Sequence, residues 1–250
     1  MRDMTKSEMF KNMIKPNRLM RGVPTSVADC GVERDTLIAT LRRTELLCNM
    51  PKEMEDMLLE TMVGRHLREG AILFREGARG DSLVLKAAGT ARVVQLRSGL
   101  PSARTLATLS EPAVLGQEAF YGVDTRAVTV RMLSEGTVFH IRRGAFADLV
   151  AKKFVEWLAP ENVLQQEGRI VWVGEAKTRP RALHAAHCVA IDHLKRFVRE
   201  VSAEDRIYCC AKDDTVAAFA AFLFSQRGLQ AMAVRNGRKL SLSPLGNQAA

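Results

Sequence analysis

The most informative part of the sequence is VLGQEAFYGVDTRAVTV, residues 114–130. Gly116 stands near its start, and Arg126 follows ten residues later, just before the strand-forming run AVTV. A glycine lets the backbone approach another group closely, and the first turn of a helix leaves amide N–H groups free for an anion. A guanidinium adds a planar set of donors that suits a phosphate. This stretch therefore predicts a cradle for one phosphate group.

Short apolar runs interrupted by glycines surround this cradle. The glycines recur about every ten residues, at Gly70, Gly77, Gly80, Gly89 and Gly99. This pattern is typical of many short antiparallel strands, so it predicts a small barrel or jelly roll. Before it, leucines and methionines at helical spacing in residues 34–66, broken at Pro51, predict two amphipathic helices. After it, residues 143–158 return to helical spacing.

Beyond Lys153 the pattern changes to buried strands that alternate with helices. The strands are predicted at RIVWVGEA (169–176), HCVAI (187–191), RIYCCA (206–211) and LQAMAV (229–234). Alternation of this kind predicts an α/β domain with a parallel sheet. The whole chain is therefore expected to be a multi-domain α+β protein. We predict a basic, loosely ordered or helical segment at 1–33, domains at 34–153 and 154–240, and a tail at 241–250.

Composition and charge narrow the classes of partner. The formal net charge of +9 favours acidic partners, yet no block of five Lys or Arg residues and no helix-turn-helix motif points to direct DNA binding. No apolar run reaches the length of a membrane span. Five cysteines without paired CxxC spacing predict neither a disulfide framework nor a metal site, and they fit a reducing cytoplasm.

Three segments together resemble the cyclic nucleotide-binding domain: REGAILFREGARGDSLVLKAAGTARVV (68–94), LGQEAFYGVDTRAVTV (115–130) and GTVFHIRRGAFADLV (136–150). The resemblance implies a β-roll with flanking helices and a phosphate cassette. In that family a Gly-Glu pair opens the cassette and an arginine holds the cyclic phosphate. Gly116 and Arg126 match the glycine and the arginine, while Glu118, Ala119 and Phe120 would supply cassette backbone.

Two cassette positions bear on the ligand that the resemblance implies. Gln117 stands where the family's glutamate accepts from a ribose hydroxyl. Its amide oxygen still accepts, but without the charge assistance of a carboxylate. Ala127 offers no hydroxyl to a purine amino group, which favours cyclic AMP over cyclic GMP. In the alternative, the roll is a scaffold without a ligand, and Glu118 or Asp124 meets the buried Arg126.

Residues 155–237 resemble the rhodanese-like domain of sulfurtransferases, through RIVWVGEA, LHAAHCVAIDHL and YCCAKDDTVAAFAAFLFSQRG. The resemblance places Cys209 at the position of the catalytic nucleophile. The loop after it is read as Cys210, Ala211, Lys212, Asp213, Asp214 and Thr215. Lys212 replaces a glycine of the family loop, and the two aspartates disfavour a thiolate. Cys209 is therefore interpreted either as a persulfide carrier or, preferably, as a buried strand residue.

The two resemblances together imply a cytoplasmic regulatory protein of a kind familiar in bacteria. It would sense a cyclic nucleotide in signal transduction and carry a rhodanese-like domain that is inactive. One alternative is a cyclic-nucleotide-gated, thiosulfate-type sulfurtransferase. Another is a two-domain adaptor that binds no ligand and contacts another protein. No cofactor is required in any of these, and the sequence leaves the oligomeric state open, a homo-oligomer included.

Overall fold

The computed structural model describes residues 23–96, 103–121, 125–202 and 204–237. These residues divide into two compact units. The roll unit contains residues 23–41 and 59–142, and the sheet unit contains residues 42–58 and 143–237. None of the helices in the described ranges is long and apolar enough to cross a membrane.

The roll unit is built from two antiparallel sheets. The first has the strand order β1-β2-β9-β4-β7, with β1 at Val23–Thr25, β2 at Val63–Leu67, β4 at Ser82–Lys86, β7 at Ala113–Leu115 and β9 at Gly136–Arg142. The second has the order β3-β8-β5-β6, with β3 at Ile72–Phe74, β5 at Ala91–Leu96, β6 at Ala103–Leu109 and β8 at Thr129–Met132. Helix α1 spans Arg34–Arg42.

Alternation along the strands creates the core of the roll. Strand β5 shows the rule, because Ala91 and Val93 are buried while Arg92 between them is exposed. The buried cluster takes residues from both sheets: Leu67, Leu73, Phe74, Val84, Ala91, Val93, Val130, Met132 and Val138. The predicted β-roll is therefore confirmed.

The sheet unit contains the parallel sheet that the second half of the sequence predicts. Its order is β10-β14-β13-β11-β12, with β10 at Glu156–Leu158, β11 at Arg169–Val173, β12 at His187–Val189, β13 at Arg206–Ala211 and β14 at Gln230–Val234. The helices are α2 at Lys52–Glu60, whose last two residues belong to the roll unit, α3 at Arg143–Lys153, α4 at Leu194–Glu200 and α5 at Asp214–Ser225. Trp172 and Tyr208 lie in a buried cluster of this unit.

One predicted helix is shorter than expected. Helical spacing predicts a helix through Leu158, but α3 ends at Lys153 and Glu156–Leu158 forms the edge strand β10. This strand pairs in parallel with β14, and the indole N–H of Trp157 donates to the Ala151 carbonyl at 2.8 Å. Pairing with the sheet therefore overrides the local helical pattern.

The units also divide the chain differently from the predicted domains. Residues 42–58 and helix α3, both expected in the first domain, belong to the sheet unit. Phe146 of α3 packs edge-on against Phe222 of α5, with ring centres 5.7 Å apart. Asn49 donates its backbone N–H to the Gln226 side chain at 3.2 Å. Aromatic packing therefore connects α3 to this unit, and a part-buried hydrogen bond connects residues 42–58 to it.

Candidate functional site

The predicted cassette is held at both ends within the roll. After β7, Gly116 takes a φ of +71°, which favours glycine, and leads into a 3₁₀ helix over Gln117–Tyr121. The side chains of Ala119, Phe120 and Tyr121 are buried and anchor this helix. Residues 122–124 lie outside the described ranges. On their far side the Arg126 N–H donates to the Ala78 carbonyl at 2.8 Å.

Arg126 points into the roll. Only 7% of the residue is exposed. Nη2 donates to the Ser82 carbonyl of β4 at 2.6 Å, and Nη1 donates to the Gly116 carbonyl at 3.1 Å. The guanidinium carbon lies 4.5 Å from the ring centre of Phe74, which is a cation–π arrangement. The guanidinium is thus fixed by the cassette, by β4 and by the core.

The charge of Arg126 is not matched by a carboxylate within the described part of the chain. No acid there forms an ion pair with it, and its Nε has no hydrogen-bond partner there. Burial lowers the Arg126 pKa, and the more distant Glu118 and Asp81 act in the opposite direction. Asp124, the other predicted acid, lies outside the described residues. A buried cation bonded to neutral carbonyls favours an anion as its partner.

The structure brings six of the seven predicted cassette residues together, while Phe120 is buried in the 3₁₀ helix. A cavity of about 190 Å³ is lined in part by Gly116, Gln117, Glu118, Ala119, Arg126 and Ala127. The Oε1 atom of Gln117 is buried without a hydrogen-bond partner among the described residues. Gln117 and Arg126 therefore line one cavity, and each carries a buried polar atom, Oε1 and Nε, that has no hydrogen-bond partner among the described residues. It is smaller than the roughly 300–1,000 Å³ of typical ligand pockets.

Three residues of this site were not predicted as part of it. Gly80, interpreted only as a turn glycine, faces Arg126 so closely that a Cβ there would meet the guanidinium Nε. Ser82 supplies the main carbonyl acceptor. His140 of β9 has a buried Nε2 without a partner among the described residues, and burial, followed by Arg65 and Arg126, lowers its pKa to about 4. All three lie in segments that resemble the family, but only Gly80 is a residue type with a local signal, that of a turn glycine.

Cys209, the candidate nucleophile of the sheet unit, lies inside β13 rather than at its end. It is fully buried, and burial raises its pKa well above the ordinary value for a thiol. Burial also raises the pKa of the neighbouring Cys210 to about 12. Since the thiolate is the nucleophile, this environment favours the interpretation of Cys209 as a buried apolar residue.

The loop expected after Cys209 is largely absorbed into regular structure. Cys210 and Ala211 belong to β13, Lys212 and Asp213 form the connection, and Asp214 and Thr215 begin α5. Asp213 caps the helix, because its carboxylate accepts from the Thr215 N–H at 2.8 Å. Asp214 accepts from the Asn236 N–H at 2.8 Å. Both carboxylates therefore have structural roles, and the connection is too short for a six-residue loop.

The spacing of the five cysteines predicts no metal site. Within the described ranges no group of three or more histidine, cysteine or acidic residues could hold a metal ion. His187 and Cys188 are both exposed neighbours on β12.

A family model and several solved structures are similar to part of this chain. Residues 64–153 match the family model of the cyclic nucleotide-binding domain. Similar solved structures include the regulatory domain of Toxoplasma gondii PKA with cAMP (21% identity, 46% of this chain, 44% of that chain, TM-score 0.42). They also include the Thermus thermophilus catabolite activator protein (22%, 43%, 50%, 0.39) and a cyclic nucleotide-binding-like protein from Brucella abortus (25%, 46%, 98%, 0.43). The chain covers half or less of the first two. The family match at residues 64–153 confirms the predicted cyclic nucleotide-binding domain, and the bounds 34–153 stay a prediction.

Proposed function

We propose that the roll binds a cyclic nucleotide, with cyclic AMP preferred, and that binding is relayed to the sheet unit in a regulatory protein. One observation carries the proposal. The buried Arg126 guanidinium has an unpartnered Nε and no ion pair within the described residues, and it lines the same cavity as Gln117, whose buried Oε1 also lacks a partner there. A small ring that carries both a phosphate and a hydroxyl satisfies both groups at once.

Each cassette residue has a role in this proposal. The cyclic phosphate accepts from Arg126, and the ribose hydroxyl donates to Gln117 Oε1. The N–H groups of Gln117 and Glu118, the first two residues of the 3₁₀ helix, have no acceptor within that helix, and in this proposal they donate to the phosphate. Ala127 places a methyl group rather than a hydroxyl beside the base, which removes a partner for the exocyclic amine of guanine. Adenine is therefore preferred.

Binding requires the site to open. The cavity of about 190 Å³ is too small for a whole nucleotide. The guanidinium must exchange its bonds to the carbonyls of Ser82 and Gly116 for bonds to the phosphate. A phosphate carries a negative charge and a carbonyl does not, so the guanidinium gains Coulomb attraction when it exchanges the carbonyls for the phosphate. The same exchange frees the carbonyls of β4 and of the cassette, which makes Arg126 the trigger of the conformational change.

The relay uses the direct connection between β9 and α3. Strand β9 ends at Arg142 and α3 begins at Arg143, without an intervening loop. Phe146 of α3 lies in the aromatic packing of the sheet unit. A movement at the end of β9 therefore acts on a helix that is part of that unit. In this proposal the sheet unit is a rhodanese-like domain without sulfurtransferase activity, because Cys209 is buried as a neutral thiol.

Isothermal titration tests the proposal, with cyclic AMP, cyclic GMP and linear AMP at up to millimolar concentration. Wild type is compared with Arg126→Gln and with Arg79→Gln, which changes an exposed arginine near the same turn. Loss of a charged hydrogen-bond donor is worth about 1.5–3 kcal/mol, so Arg126→Gln should weaken binding about 10- to 100-fold. Arg79→Gln should bind like wild type. Absence of binding by any cyclic nucleotide, or equal affinity in the two variants, would overturn the proposal.

A further inference from the structure

A second cavity of the roll unit lies apart from the cassette. It measures about 530 Å³ and shares no lining residue with the Arg126 cavity. Its lining includes three arginines, Arg75, Arg92 and Arg131, and, among other residues, the apolar Ile72, Val94 and Leu96. They come from β3, β5 and β8 and the turn after β3, so the cavity is a groove that crosses the second sheet; we call it the arginine groove.

Two arginines of the groove are direct cross-strand neighbours. Arg92 of β5 is paired in register with Arg131 of β8, and both side chains are exposed. The Cβ atoms of such a pair lie about 4.5–5.5 Å apart, and like charges placed directly opposite destabilise a sheet. Neither arginine forms an ion pair with any residue that the structure describes. A local arrangement that opposes folding marks a position with a function other than stability.

The acids near the groove do not neutralise the pair. Glu76 is already engaged, because its Oε2 accepts from the Leu96 N–H at 2.7 Å. Arg131 extends over the turn at Gly70, where a Cβ would lie 3.3 Å from its Nη2. Glu69 is exposed at the edge of the groove. The groove thus presents an excess of positive charge beside an apolar surface.

We infer that the arginine groove binds an acidic segment of a partner protein. Carboxylates of an extended peptide pair with Arg92 and Arg131, and an apolar side chain between them covers Val94 and Ile72. Charge complementarity supports a protein partner of opposite sign to this chain, whose net charge is +9. The apolar residues of the groove favour a peptide over a nucleic acid, since a peptide can place apolar side chains against them and a phosphate backbone cannot.

Binding is tested on the full chain by fluorescence polarisation with a fluorescein-labelled peptide of alternating glutamate and leucine. A lysine–leucine peptide and a single-stranded DNA oligonucleotide serve as comparison probes. The acidic peptide should bind, and the double variant Arg92→Glu/Arg131→Glu should weaken it at least tenfold. Arg104→Glu, an exposed charge reversal on the same sheet outside the groove, should leave it unchanged. Equal loss in both variants, no binding of the acidic peptide, or tighter binding of the oligonucleotide overturns the inference.

A second measurement does not depend on the choice of peptide. Arg92→Gln relieves the like-charge pair, so it should raise the urea midpoint of unfolding. A lower midpoint would show that the pair is structural, which contradicts the inference. Cyclic AMP titration of the groove variants should match wild type, so failure here and failure of the nucleotide proposal are separate results.

Discussion

The guanidinium of Arg126 occupies the space that a side chain at Gly116 would need. A Cβ built at Gly116 would meet Arg126 Nη1, and the φ of +71° at this glycine disfavours other residues in any case. Gly80 approaches the same guanidinium from the other side. Gly80 and Gly116, which are far apart in the chain, therefore both leave room for the Arg126 guanidinium.

Alanine substitutions should separate backbone strain from contact with Arg126. Gly77 has a φ of +75° and nothing within 4 Å of an added Cβ, so Gly77→Ala should lose only the strain of about 1–2 kcal/mol. Gly116→Ala should lose more, because the guanidinium must also move. Gly80 has no positive φ, so Gly80→Ala should lose only the stability that depends on the close contact with the Arg126 guanidinium. Urea unfolding measures all three, and equal losses for Gly77→Ala and Gly116→Ala would contradict the described position of Arg126.

Restoring a carboxylate at position 117 should tighten ligand binding. Gln117→Glu adds charge assistance to the bond with the ribose hydroxyl, worth about 1 kcal/mol or roughly a fivefold gain in affinity. Gln117→Leu has no acceptor and should weaken binding by a similar factor. Titration with cyclic AMP measures both variants. If both bind like wild type, Gln117 does not contact the ligand.

His140 should make the protein less stable as the pH falls. Its pKa in the folded state, about 4, lies below the ordinary value of 6.5, because burial and the nearby Arg65 and Arg126 disfavour the charged form, while Asp81 opposes them. Between these values the unfolded state binds more protons. Stability is therefore full above about pH 6.5 and is lost progressively toward pH 4, by on the order of 2–3 kcal/mol.

Urea unfolding at pH 7.5 and pH 5.0 measures this loss. His140→Gln should remove most of the pH dependence in that range, whereas His184→Gln, at an exposed histidine, should keep it. The same slope in His140→Gln as in wild type would show that other groups are responsible.

The buried thiols of β13 should be unreactive. Cys48 and Cys188 are exposed, whereas Cys209 and Cys210 are buried. A thiol reagent should therefore label the exposed pair in the native protein and reach the buried pair only in denaturant. Thiosulfate with cyanide should yield no thiocyanate. Turnover that disappears in Cys209→Ser would instead support the sulfurtransferase alternative.

The cassette was the most predictable part of the site. Gly116, Gln117 and Arg126 lie within eleven residues, so their spacing carries local geometry. The regular spacing of glycines predicts the strands of the roll for a similar local reason, because the turns between strands need particular residues. The acceptor of Arg126 on Ser82 was not predictable, because Ser82 lies 44 residues away in the chain. The acceptor is also a backbone carbonyl, which every residue has, so the residue type gives no signal.

The sheet unit shows where local patterns were insufficient. Glu156–Leu158 forms a strand only because β14 lies beside it. Residues 210–215 were predicted as a loop, but the length of β13 and the cap supplied by Asp213 leave only two connecting residues. In both cases a contact between residues far apart in sequence determined the local structure, and no short window of sequence contains that contact.

The ¹H–¹⁵N resonance of the Arg126 Nε–H group gives the most direct test of the account. This donor is buried and has no partner among the described residues, so a bound phosphate should become its acceptor. Addition of cyclic AMP should shift this resonance downfield in proportion to saturation, and linear AMP should shift it less. A saturating titration that moves other resonances but leaves the Arg126 Nε–H unchanged would contradict the claim that this guanidinium holds the ligand.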